Sequence, residues 1–410
     1  MVDRMTDPLA GKAAATRPEL RRAKGPDGKS RLLSAAVELL CGQPPSSIAG
    51  RALARKAGVH HTLIGQIFGD LPALLATAYS DERDAFAQTA FSVVGQPIDG
   101  FAVAGHANFW KPYVYFVLDP FHGAIQAALG HNSIPRQASQ HLHHDDPSLA
   151  PANRDAIAAA WWSTQIGALV FDKALNHGLG ISLRQREHVR DLAARRLDRL
   201  FQSPPNAIKP GTARAMELAA SPKKPTQGRE GKEWALIQAA INLLYDRAES
   251  GVSGRELAQR ANANYGLIHH YFGSKEAVFD QAFIYLHGLY VDDMVGGQAQ
   301  RLGLPFQMVR HEAFIHAWAC RELVGIAMPT VDLAGMRIFL TDLLAGRGIS
   351  GSNSAALAQA QADVYCAIAL QLGYTICRTH LGATLDTEPE AVLSRLMTIH
   401  RWLVTGTWPR

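Results

Sequence analysis

The sequence predicts an all-α protein made of two similar helical units in tandem. Three observations carry that expectation. Apolar residues recur at helical spacing, as in Leu32, Leu33, Ala36, Val37, Leu39 and Leu40. The stretch Gly251–Phe283 divides into short helices separated by capping and stop signals. Arg31–Tyr79 then aligns without a gap on this second stretch and its approach, at an offset of 204 residues and with about a third of positions identical.

Within Gly251–Phe283, Ser253 caps a first helix and Glu256, three residues on, closes a capping box. Leu257, Ala258 and Ala261 fall on one face. Asn262-Ala263-Asn264 breaks the pattern, and a second helix runs through Leu267, Ile268 and Phe272. Gly273-Ser274 stops it, with Ser274 capping a third helix that opens at Lys275 and Glu276. Two short helices across a tight turn form the pattern of a helix-turn-helix reader of the DNA major groove.

The run GLIHHYFGSKEAVF resembles the recognition-helix signature of the tetracycline-repressor-like (TetR) family of bacterial transcriptional regulators. The resemblance implies that the aromatic-rich helix end and the Gly-Ser-Lys after it lie against the DNA backbone. Lys275 at a helix N-terminus suits a phosphate, since its charge adds to free N–H groups and the helix dipole. His269, His270 and Tyr271 supply short donors beside it, while Arg255, Asn264, Tyr265 and Gly266 complete the expected DNA-facing set.

In chain order, residues 1–28 have almost no large apolar side chains and are expected to be a disordered basic arm, with Arg17, Arg21, Arg22 and Lys24 leading to Lys29. Residues 29–79 form the first head. Leu32/Leu236, Gly50/Gly254, Arg51/Arg255, Leu53/Leu257, Ile64/Ile268 and Phe68/Phe272 coincide with the second. Its apolar skeleton is kept, but its DNA-facing chemistry has partly degenerated. Lys275 corresponds to Leu71, Tyr271 to Ile67, His270 to Gln66 and His269 to Gly65, and Ala49 and Ala52 replace the capping box. His60, His61 and Thr62 stand at the start of its recognition helix, where base edges are reached, and Arg51, Arg55 and Lys56 stay basic. Arg51, His60, His61, Thr62 and Gln66 are therefore its candidate DNA contacts.

Residues 80–202 form a helical regulatory domain, with an aromatic-rich run from Phe101 to Phe121, a polar loop near 131–152, a helix through Trp161 and Val170, and another from Leu183 to Phe201. Residues 203–231 are a Pro-, Gly- and Lys-rich linker ending in Lys223, Lys224 and Arg229. Residues 232–283 are the second head and 284–410 the second regulatory domain, with helices over Ser354–Thr379 and Pro389–Val404. ALNHGLG (174–180) and CRTHLGA (377–383) are read as matching helix ends. Trp110, Trp161, Trp318 and Tyr374 are assigned to core.

Composition narrows the function. The chain has 410 residues, 47% of them hydrophobic, which is enough for several packed domains. No apolar run is long enough for a bilayer and no signal peptide opens the chain, so a cytoplasmic protein is expected. The four cysteines (Cys41, Cys320, Cys366, Cys377) have no metal or redox spacing. A net charge of +5 is compatible with nucleic acid. No nucleophile elbow, phosphate-binding glycine loop or paired carboxylates point to an enzyme, and no cofactor is implied.

The expected function is a transcriptional regulator, a repressor, that binds a double-stranded, asymmetric DNA operator through two heads in one chain. By the resemblance, the regulatory domains pair as an intrachain pseudo-dimer, and a small apolar effector weakens DNA binding. One alternative is a single-headed regulator that binds as a two-chain homodimer through the second head. The other is a metal-binding or enzymatic helical protein built on HLHHDD (His141 to Asp146), with His122 and His131 nearby.

Overall fold

The computed structural model describes residues 26–91, 100–118, 132–205, 208–210, 228–246, 249–294, 305–326, 334–349, 353–385 and 387–408. Among these there are helices and turns but no strand. The basic arm through Lys24, His122, His131, Lys223 and Lys224 lie outside the described residues.

The first head is α1 (Pro26–Leu40), α2 (Gly50–Lys56) and α3 (Thr62–Phe68), followed by α4 (Leu71–Ala90). The second is α10 (Gly228–Asp246), α11 (Gly254–Arg260), α12 (Gly266–Phe272) and α13 (Lys275–Met294). The bounds of α2, α3 and α4 recur 204 residues later in α11, α12 and α13, as does the 3-10 turn Pro45–Ser47 in Glu249–Gly251. Each head closes on a small apolar core: Leu32, Ala36, Leu53 and Ile64 in one, Leu236, Ala240, Leu257 and Ile268 in the other. The residue that turns the chain between the two short helices lies in the left-handed region in both heads, Gly58 at φ +64° and Asn262 at φ +50°. Asparagine is one of the few side chains that tolerates that conformation.

The bodies contain α5 (Ala107–Leu118), α6 (Ile134–Asp145), α7 (Pro151–Val170), α8 (Asp172–Gly178) and α9 (Arg186–Gln202), then α14 (Glu312–Val324), α15 (Ala334–Gly346), α16 (Ser354–Leu385) and α17 (Pro389–Thr405). At the centre, α7 and α9 pack with α16 and α17 as a four-helix bundle within one chain. The crossing of α7 on α16 is made by two glycines. A Cβ on Gly167 would lie 1.9 Å from the Ala369 carbonyl oxygen, and one on Gly373 would lie 1.8 Å from the Ser163 carbonyl oxygen. Contact this close brings backbone against backbone and allows no side chain between.

Polar groups then fix the register. Arg196 on α9 pairs with Asp363 on α16 at 3.2 Å, lies over the Trp402 ring at 5.1 Å and donates to the Leu403 carbonyl. Asp363 also accepts from Arg347 at 2.7 Å. Both partners of the Arg196–Asp363 pair are buried, so losing either leaves an uncompensated charge. Aromatic contacts extend the packing between the bodies, with Phe171 edge-on to Trp318 and Tyr113 edge-on to His380. Trp110, Trp161, Trp318 and Tyr374 are all buried.

Several expectations are corrected. The polar stretch from 132 to 152 is not all loop: it contains α6, which begins at Ile134 and carries His141 to Asp145 at its C-terminal end, with Asp146 as its C-cap. An i, i+4 contact between His141 and Asp145, with His141 buried, outweighs the local polarity. Helix α16 runs through Gly382 to Leu385, whereas its counterpart breaks at Phe171 between α7 and α8. The helix continues through Gly382 despite its weak propensity because its neighbours Leu381, Thr384 and Leu385 are buried. The linker gives way to helix by Gly228, so Arg229 belongs to α10. Helix α9 starts at Arg186, leaving Leu183 exposed before it. The boundaries drawn at residues 79 and 283 fall inside α4 and α13, which run continuously from head to body.

Candidate nucleic-acid interface

In the second head most of the expected DNA-facing residues are exposed. Arg255, Asn264, Tyr265, Gly266, His269 and His270 are exposed on α11, α12 and the turn between them, while Tyr271 and Lys275 are half-buried. Local hydrogen bonds divide these side chains into those that hold the helix and those left to bind. Asn264 Oδ1 accepts from the Gly266 backbone N–H at 2.9 Å, capping α12 and leaving the side-chain amide donors outward. Ser253 Oγ accepts from the Glu256 N–H and caps α11, and Ser274 Oγ accepts from the Ala277 N–H at the start of α13.

Tyr265 is held by a relay along α12. His269 Nδ1 is 3.0 Å from the Gly273 carbonyl oxygen, and its Nε2 is 3.1 Å from Tyr265 Oη. Because the carbonyl can only accept, the neutral ring carries its proton on Nδ1 and the Tyr265 hydroxyl donates to Nε2. On its other side the Tyr265 ring lies against Gly254, where a Cβ would come within 2.7 Å. Tyr265 is thus a rigid aromatic placed at the start of the recognition helix, still 44% exposed. His269 is a support for that ring, a role its sequence position did not reveal. Tyr271 is turned from the exposed face and takes the Arg229 guanidinium over its ring at 5.4 Å.

Lys275 departs from the role expected for it. Its ammonium donates to the Val252 carbonyl at 2.9 Å and the Glu249 carbonyl at 3.4 Å, with Glu276 Oε1 at 3.6 Å. Two carbonyls accept from the ammonium and a carboxylate pairs with it, so in this structure the charge staples the 3-10 turn to α13.

The first head repeats the geometry with different chemistry. Arg51, His60, His61, Thr62 and Gln66 are all exposed. His60 occupies the position of Asn264 and imitates its cap, with Nδ1 2.8 Å from Thr62 Oγ1 and 3.5 Å from the Thr62 N–H. His61, the counterpart of Tyr265, stacks obliquely on His60 at 4.5 Å. Asp70 Oδ1 accepts from the Ala73 N–H at the position of Ser274. Lys56 pairs with Glu38 at 2.7 Å.

Sequence reasoning also missed Arg321, which reaches from α14 to Glu249 beside the second head. The two residues are 72 positions apart and belong to no local motif. The HLHHDD residues do not assemble a site. His141 faces inward, His143 Nδ1 is 2.6 Å from Arg154 Nη1, and among the described residues no group of three or more His, Cys, Asp or Glu could hold a metal ion. No helix is long and apolar enough to cross a membrane among the residues searched.

Comparison with known proteins follows the same surface. Residues 236–282 match the family described as bacterial regulatory proteins, tetR family. That span runs from α10 through most of the α13 first turns, so it contains both short helices and Lys275. The chain is similar to an HTH-type transcriptional regulator of Mycobacterium bovis, 41% identical over 54 residues, which is 13% of this chain and 28% of that protein. An HTH-type transcriptional repressor of Mycobacterium tuberculosis is similar at the same identity and coverage. The matched region thus spans about a quarter of these relatives' length and corresponds in size to a DNA-binding head.

Proposed function

We propose that this chain is a DNA-binding transcriptional regulator, a repressor, formed of two TetR-like units whose bodies pair as an intrachain pseudo-dimer. The observation that carries the reading is the recurrence of α2, α3 and α4, residue for residue, in α11, α12 and α13. The bundle of α7, α9, α16 and α17 supports the pairing. Its central contact is reciprocal: Ser163 and Gly167 meet Ala369 and Gly373, each 206 positions later, as an axis relating two halves requires.

DNA is met by α12 in the second head and α3 in the first. Tyr265, the Asn264 amide and His270 face base edges from one, and His61, Thr62 and Gln66 from the other. Arg255 and Arg51 lie at the flanks for phosphate. Because the two sets differ, the operator is asymmetric. A small effector that changes the separation of the heads weakens binding, since both recognition helices no longer fit the groove together.

The test is enrichment of duplexes from a random-sequence pool by the full chain, followed by titration for stoichiometry over a salt series. Two unlike half-sites bound by one chain, with affinity falling steeply with salt, are expected. A palindrome bound by two chains supports the single-headed alternative instead, and no enrichment refutes DNA recognition.

A further inference from the structure

We propose that Arg321 is a positioning residue that clamps the second head to its own body and so sets the separation of the two recognition helices. The proposal rests on the two-headed reading above. Arg321 lies in the last turn of α14, in the body, and is 1% exposed. Its Nη2 reaches Glu249 Oε2 at 2.9 Å and Asp280 Oδ1 at 2.8 Å, its Nε lies 3.3 Å from the same glutamate oxygen, and its guanidinium covers the Phe283 ring at 4.7 Å. Glu249 opens the 3-10 turn between α10 and α11, in the head. The two carbonyls held by Lys275 belong to this turn and the residue after it. One short segment is thus gripped through its carboxylate from the body and through its backbone from α13.

That segment is also where the heads meet. The Glu249–Gly251 turn packs on the Pro45–Ser47 turn of the first head, and Pro44 shares the wall of a small cavity with Glu249 and Arg321. A guanidinium buried between two carboxylates and an aromatic face has one good geometry, and leaving it means stranding a desolvated charge. The clamp therefore holds the second head, and through the turn-on-turn contact the first, at a fixed distance. The carboxylates and the lysine of this clamp are not repeated in the first head. In the gapless repeat Pro45, Ala76 and Leu71 replace Glu249, Asp280 and Lys275, and none carries a charge. Both heads pack on their own bodies, α1 and α4 on α5 in the first and α10 and α13 on α14 in the second, and the second carries the ionic clamp in addition.

The experiment uses the duplex enriched from a random pool by the wild-type chain, remade with its half-sites moved apart or together by one and two base pairs. Wild type, Glu249→Gln and Arg321→Lys are titrated on this series and on a duplex carrying the second half-site alone. Glu249→Gln keeps the shape and a hydrogen bond, so the head stays folded; a thermal melt of each variant verifies this. Wild type is expected to prefer one spacing, and both variants to flatten that preference by about tenfold while binding the lone half-site within about twofold of wild type. A folded variant that retains the wild-type spacing profile overturns the role of Arg321. If wild type itself shows no spacing preference or binds as two chains, the two-headed reading fails first, and the clamp's role with it.

Discussion

Replacing Gly373 by alanine tests the pairing of the halves through the sign of one number. Gly373 sits well inside the 32-residue helix α16, where alanine in place of glycine ordinarily stabilises by about 1 kcal/mol. Here the added methyl would stand 1.8 Å from the Ser163 carbonyl oxygen and 2.7 Å from the Gly167 nitrogen, both backbone atoms of α7 that cannot rotate away. An ordinary contact begins at 3.4 Å, so the helices must separate by roughly 1.5 Å at their crossing. Overpacking of this kind costs about 1–3 kcal/mol, and a rigid backbone obstacle belongs at the upper end. The net expectation is a loss of about 1–2 kcal/mol, read as a lower urea midpoint followed by tryptophan fluorescence, since Trp161 and Trp162 are fully buried on α7. Gly167→Ala should act alike, and the double variant should cost less than the two losses added, because the first displacement makes room for the second methyl. An unchanged or raised midpoint for Gly373→Ala would refute a close α7–α16 crossing and the intrachain pairing built on it.

Three further outcomes follow from the same geometry. Lys275→Ala should lower the melting temperature of the second head by removing a staple worth about 1–2 kcal/mol, while leaving the salt dependence of DNA binding unchanged; a salt slope smaller by about one would instead mean a lost phosphate contact. His269→Ala should weaken DNA binding by about tenfold through loss of the fixed Tyr265 hydroxyl, and His269→Gln should recover part of it; equal affinities by fluorescence anisotropy for wild type and His269→Ala would remove the relay from the interface. Burial pushes His380 down to about 4 and His400 to about 3 from an ordinary 6.5. Their neutral forms are thus favoured in the fold, full stability is present above pH 6.5, and on the order of 3 kcal/mol for each is lost as pH falls from there toward 4. Urea midpoints across pH 7 to 4 measure this, and His380→Gln should flatten the fall.

The heads were legible in the sequence because their information is local. Capping residues, a left-handed turn position and a 3.6-residue apolar stripe lie within a few turns of one another, and a gapless repeat doubles the signal. The bodies were less legible. HLHHDD looks like solvent-exposed loop, yet α6 forms because Ile134, Ala138 and Leu142 provide a buried stripe and His141 turns in with it. Gly382 looks like a stop, yet the helix continues through it because α16 is buried along most of its length. The small residues at the bundle crossing did carry a readable trace, Ser163-x-x-x-Gly167 and Ala369-x-x-x-Gly373, the spacing that lets two helix backbones touch.

The interface residues divide along the same line. Exposure of Arg255, Asn264, Tyr265, His269 and His270 followed from the helical register, but what each side chain does did not. Asn264 Oδ1, both ring nitrogens of His269 and the Lys275 ammonium are engaged by the head's own backbone or a neighbouring hydroxyl. On the proposed reading such groups order the interface before DNA arrives, which lowers the entropy that binding must remove. The first head places His60 in the same capping position with an imidazole instead of an amide, and puts His61 where the second head has Tyr265. Two frames with the same backbone and unlike exposed chemistry are what the proposed reading of two different half-sites by one chain requires. Identical frames would gain nothing from being joined in one chain, since a symmetric dimer already supplies them.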